Sequence, residues 1–151
     1  MKAVLKILSV LYFLVLFYIF FLAPRRTDQT LVKYYHTINF IPLKVKIQFI
    51  NNPDFDDAAQ RWNFFTDIFG NILLFVPFAV ILYAAFTIKS FRKILLIAVL
   101  TSISVEAIQF ILRIGVADID DVLLNVTGTC IGLLFITMAK RPLDKILQRI
   151  G

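Results

Sequence analysis

The chain is 151 residues long, 60% hydrophobic and only 17% charged, with a formal net charge of +6 and a mean hydropathy of +0.83. A soluble domain of this size could not hide so much apolar surface from water, so lipid is the solvent implied, and the length predicts one domain over residues 1–151. The basic excess comes without a groove of interleaved aromatic and basic residues, so it points to membrane topology and anionic headgroups and excludes a nucleic-acid partner.

In chain order, Lys2 and Lys6 lead into an apolar run with the outline of a secretory signal. No small-x-small cleavage pattern precedes Pro24, and the run is long enough to cross a bilayer, which predicts an uncleaved first helix over 4–22. Three further apolar windows, 69–88, 94–112 and 122–139, each approach the ~20 residues a crossing helix requires. The expected fold class is an all-α membrane protein, a bundle of about four transmembrane helices, because lipid tolerates only segments that bond their own backbone.

Lys89, Arg92 and Lys93 follow the second window, and Lys140, Arg141, Lys145 and Arg149 follow the fourth. Together with Lys2 and Lys6 they mark one side as cytoplasmic, which predicts both termini inside and a long extracellular first loop over 23–66. That loop holds Tyr34, Tyr35, Trp62, Phe64 and Phe65, ring types that settle at headgroup level, with His36 as an interface residue. Within it, 44–49 alternates polar and apolar residues, which predicts a short extended segment, and Asn51-Asn52-Pro53-Asp54 reads as a turn. The single cysteine, Cys130, excludes an intrachain disulfide and reads as a small packing side chain.

Polar residues recur at helical spacing near one end of three windows. Ser102, Glu106, Gln109 and Arg113 stand four, three and four apart on one face of the third. A carboxylate such as Glu106 inside the membrane must be protonated, paired or reached by water, so it faces the bundle, with Arg113 as a partner for it or for an anionic headgroup. Asp118, Asp121, Asn125, Gly128 and Gly132 follow the three-and-four seam of the fourth helix, whereas Asp120 falls off that seam and reads as a solvated cap. Asp67 and Asn71 share a face near the start of the second. Gly70, Gly128 and Gly132 are expected in helix packing, the last two as a G-x-x-x-G pair, and Pro77 as a kink. The convergence has two explanations that can coexist. One is a hydrogen-bond lock in which Asn71, Gln109 and Asn125 clasp helices while Asp118 and Asp121 cap the fourth. The other is a binding site, the default for ionisable residues inside a membrane.

Asp67-x-x-x-Asn71-x-x-x-Phe75-x-Pro77-Phe78, then Ser102-x-x-x-Glu106-x-x-Gln109-Phe110, then Ala117-Asp118-Ile119-Asp120-Asp121-x-x-x-Asn125-x-x-Gly128-x-x-x-Gly132, preceded by Asn39-Phe40-Ile41-Pro42, resembles the motif order of VanZ-like membrane proteins. Two departures stand out. Ile114-Gly115-Val116 occupies the place of a Gly-Arg pair found in many members, and Ala79 follows Pro77-Phe78 where the family has Gly. The resemblance implies a bacterial-type plasma membrane, a cell-envelope role and association with resistance to glycopeptides of the teicoplanin type, without a settled chemistry.

The leading expectation is binding of an amphiphilic envelope molecule, such as a lipid-linked wall precursor, an anionic lipid or a lipid-bearing glycopeptide, by Asp67, Asn71, Glu106, Gln109, Arg113, Asp118, Asp121 and Asn125. An enzyme of lipid-phosphate or glycan chemistry is the alternative, in which these carboxylates hold a divalent metal or act as acid and base; otherwise no cofactor is expected. No Ser–His–Asp set, G-x-S-x-G elbow or H-E-x-x-H motif supports that alternative. A small lipid transporter is a third class. With so few helices it requires a homo-oligomer, for which Gly128 and Gly132 are the contact expected from sequence.

Overall fold

The structure is a computed structural model that describes residues 2–23, 38–51, 58–115 and 117–150. Tyr34, Tyr35, His36 and most of the turn expected at 51–54 lie outside the described residues. Helix α1 (Lys2–Phe17) runs on into a π-helical turn (Tyr18–Leu22). A two-residue strand β1 (Ile38–Asn39) precedes the short helix α2 (Lys44–Ile50), followed by the long helices α3 (Ala58–Ala84) and α4 (Phe91–Ile111). Strand β2 (Ala117–Asp118) then leads into α5 (Ile119–Ile150).

Four stretches are long and apolar enough to cross a bilayer: Ala3–Leu22, Arg61–Ala84, Phe91–Ile111 and Ile119–Ala139. The expectation of an all-α, four-span membrane protein is met. Their lipid-facing sides carry exposed Val4, Ile7, Leu11, Leu14, Leu96, Leu100, Leu134 and Phe135, the inverse of a soluble surface. The helices alternate in direction. The Tyr12 hydroxyl of α1 donates to the Leu74 carbonyl of α3 while Phe20 lies tilted against Phe75, and Ser102 of α4 meets Asn125 of α5. The end of α1, the start of α3, the end of α4 and the start of α5 therefore meet at one end of the bundle.

The core below that end is aromatic. Phe75 and Phe78 are fully buried with ring centroids 5.0 Å apart, and Phe13 meets Phe78 edge-on at 6.1 Å. Pro77 lies inside α3 and has no N–H to give the Leu73 carbonyl, and the neighbouring Leu74 carbonyl accepts the Tyr12 hydroxyl at 2.6 Å. Between α3 and α5 the backbones themselves touch. A Cβ on Gly128 would overlap the Ile72 carbonyl, and one on Gly132 would overlap the Val76 carbonyl and stand 2.9 Å from the Ala79 methyl. The G-x-x-x-G face is thus filled by α3 of the same chain, which corrects the idea that Gly128 and Gly132 offer a contact for a second copy. Gly70 differs from both, since a Cβ there would meet nothing within 4 Å.

Two local expectations are overturned. The segment expected to be extended is helical over Lys44–Ile50, because a period-two pattern this short does not bind the backbone to a strand when no neighbouring strand pairs with it. The second span begins earlier than its hydropathy window. Arg61 and Asn63 dilute the apolar signal, yet Trp62, Phe64 and Phe65 lie on α3 rather than in the loop. Asp67 and Asn71 consequently sit more than two turns inside the helix.

Candidate functional site

Asp118 is the node at the converging end. It directly precedes α5, and its Oδ1 accepts the Asp120 N–H at 2.9 Å, the side-chain cap expected of an aspartate at a helix start. The same oxygen accepts Asn39 Nδ2 at 2.9 Å. The Asp118 N–H donates to Glu106 Oε2 at 3.0 Å, and Glu106 is only 7% exposed. Parallel pairing of Ile38 with Ala117 and Asn39 with Asp118 completes the join, so three elements distant in sequence meet on one residue.

Residues 38–50 form a strap across this end. Asn39 turns its carbonyl oxygen back to the Ile41 N–H at 3.3 Å. Leu43 adopts a left-handed backbone (φ 63), a conformation that costs about 1–2 kcal/mol for a residue with a Cβ, and its N–H is held by Asp120 Oδ1 at 2.7 Å. Lys46 then reaches the carboxylate of Asp67 in a partly buried ion pair. Burial disfavours the Lys46 ammonium, but Asp67, with Asp121 and Asp118 behind it, outweighs that cost and holds its pKa above the ordinary lysine value, so it is charged at neutral pH.

The carboxylate of Asp121 lies within electrostatic range of Asp67, Glu106, Asp118 and Lys46. Deeper in the bundle, Asn125 is 1% exposed and its Nδ2 donates to Ser102 Oγ at 2.8 Å. Three buried acceptors meet no donor among the described residues: Asp120 Oδ2, Asp121 Oδ1 and Asn125 Oδ1. Buried oxygens of this kind are rarely left unpaired. The described residues include no group of three or more His, Cys, Asp or Glu arranged to hold a metal ion.

Of the residues singled out from sequence, Asp67, Glu106, Asp118 and Asp121 are brought together, with Asn125 one step below through Ser102. Asn71 is buried one turn along α3 from Asp67. Gln109 faces elsewhere: its Nε2 donates to the Phe20 carbonyl at 2.9 Å, clasping α4 to the π-helical end of α1. Arg113 is exposed and pairs with no carboxylate among the described residues. It closes α4 instead with φ 60, its N–H on the Phe110 carbonyl and the Ile114 N–H on the Gln109 carbonyl, the geometry a glycine usually supplies.

Asp120 corrects the expectation of a solvated cap. It is 2% exposed, because the strap from a distant part of the chain covers the start of α5, and helical spacing within α5 carries no trace of that cover. Asn39, Lys46 and Asp120 are the site residues that the spacing argument passed over. Asn39 and Asp120 left a signal in the quoted motifs, Asn39-Phe40-Ile41-Pro42 and Asp118-Ile119-Asp120-Asp121, and Lys46 left none.

The clasp can be separated from the acidic group by mutation. Gln109→Leu is expected to leave the Phe20 carbonyl without its donor and cost about 1 kcal/mol. Thermal unfolding in detergent, with hydrogen exchange localised to the end of α1, checks this.

Comparison with known proteins supports the motif reading. The chain is 29% identical to Protein VanZ of Enterococcus faecium over 92 residues, which cover 58% of this chain and 57% of that protein, so the match spans little more than half of the relative's length. No solved structure matches the chain. Residues 9–140, from within α1 to beyond the last span, match the VanZ/LLP1 family, and this multi-span membrane protein belongs to it.

Proposed function

We propose that the end of the bundle built around Asp118 faces the outside of the cell and binds the headgroup of an amphiphilic envelope molecule, such as a lipid-linked wall precursor or a lipid-bearing glycopeptide. The observation that carries this reading is the set of buried acceptors that meet no donor among the described residues, in a cluster that three spans and the strap assemble. A purely structural lock would satisfy its own groups, whereas Asn125 pairs with Ser102 through Nδ2 and its Oδ1 meets no donor among the described residues. Orientation follows from charge: Lys6, Lys89, Arg92 and Lys93 belong to the opposite end of the helices, the end that stays in the cytoplasm.

Binding at this depth alters what reaches the membrane surface, and through that step the protein reduces susceptibility to teicoplanin-type glycopeptides, as the family resemblance implies. The test is a host expressing the chain with Glu106→Gln, Asp118→Asn or Asn125→Ala at matched membrane levels. Each variant is expected to lose most of the protection that the unaltered chain confers. Full protection in all three at equal expression would remove the cluster from the function.

A further inference from the structure

Among the described residues, the unpartnered buried atoms at this end are of one kind. Asn39 Nδ2 is taken by Asp118, the Asp118 N–H by Glu106, the Leu43 N–H by Asp120, and Asn125 Nδ2 by Ser102. Among the described residues, the buried side-chain atoms left without a partner are all oxygens: Asp120 Oδ2, Asp121 Oδ1 and Asn125 Oδ1, on residues of which Asp120 and Asn125 are 2% and 1% exposed. The cation that Asp67, Asp118 and Asp121 share is Lys46, carried on the strap.

Resting on the headgroup reading above, we propose that the group recognised at this site is a primary ammonium, and that Lys46 is a tethered stand-in for it that leaves with the strap when ligand enters. A phosphate by itself brings further acceptors and negative charge into a cluster of carboxylates, where like charges repel. A quaternary ammonium has the charge but no N–H. A primary ammonium supplies three donors and the charge together, as the Lys46 side chain does. The strap has features suited to release: Leu43 holds a left-handed backbone with its N–H on Asp120, and the exposed Phe40, Ile41, Leu43, Ile47 and Ile50 give the lifted strap an apolar side to lay on lipid. An aminophospholipid and an amine-bearing peptide of a wall precursor both carry this group.

Native mass spectrometry of the full chain, with short-chain phosphatidylethanolamine, phosphatidylcholine and phosphatidylglycerol in equal amounts, reads the preference directly. The expected result is retention of the ethanolamine lipid about tenfold over the other two, the loss expected when one charge-assisted hydrogen-bonding set is removed. Lys46→Met is expected to raise its occupancy several-fold and Lys46→Arg is not; if Lys46→Met does not fold, the contrast among the lipids on the unaltered chain decides. Displacement of the lipid by a soluble lysine-containing peptide assigns the recognised amine to either source, and retention against that peptide assigns it to the lipid. Equal or tighter retention of phosphatidylglycerol overturns the ammonium inference and leaves the headgroup reading in place. Binding of no lipid and no amine overturns both.

Discussion

Gly128→Leu is expected to yield no folded protein. The Gly128 Cα faces the Ile72 carbonyl so closely that even a methyl group would overlap it, and the atom it meets is backbone, which cannot rotate aside. Gly128→Ala must push α3 and α5 apart along the contact they share with Gly132, at a cost of about 1–3 kcal/mol from overpacking, and a leucine exceeds what a bundle this small can absorb. Gly70→Ala is the internal control. It lies on the same α3 with nothing within 4 Å, so the substitution is expected to be neutral or to stabilise by about 0.5–1 kcal/mol through the better helix propensity of alanine. Detergent-extracted yield and thermal unfolding of the three variants separate these outcomes.

Asp118→Ala carries the second large effect, and here the loss is polar. One oxygen caps α5 through the Asp120 N–H and anchors the strap through Asn39. Removing it costs about 1 kcal/mol for the cap and a further 1.5–3 kcal/mol for the charge-assisted bond to Asn39. Among the described residues, the side-chain hydrogen bonds that then hold the strap to the bundle are those of Leu43 with Asp120 and of Lys46 with Asp67. Hydrogen exchange in residues 38–50 is expected to rise in Asp118→Ala while the centres of α3 and α5 stay protected. Asp118→Asn keeps an oxygen able to accept both bonds and removes the charge, so it is expected to preserve the strap and change only what the site attracts. Comparable strap exchange in Asp118→Ala and the unaltered chain would show that Asp118 does not anchor it.

Much of this architecture was legible in the sequence, for a physical reason. Lipid forbids most alternatives to a crossing helix, so a long apolar window fixes an element and its approximate ends, and spacing along it fixes which polar side chains share a face. Glu106, Asp118, Asp121 and Asn125 were found that way. The residues missed are those whose environment comes from far along the chain. Leu43 is 77 positions from Asp120, and Lys46 is 21 positions from Asp67, so no local period records either contact. Gln109 shared the stripe of Glu106 yet turns to α1, because a π-helical end presents the Phe20 carbonyl beside it. The start of α3 escaped because Arg61 and Asn63 lower hydropathy without opposing helix formation.

Whether the Asp118 end holds an envelope molecule is read most directly from the lipid and precursor content that copurifies with the full chain from its membrane, compared between the unaltered protein and Asp118→Asn matched in thermal stability. The expected result is an amphiphile retained by the unaltered protein and lost from Asp118→Asn. An identical complement on both proteins would contradict it.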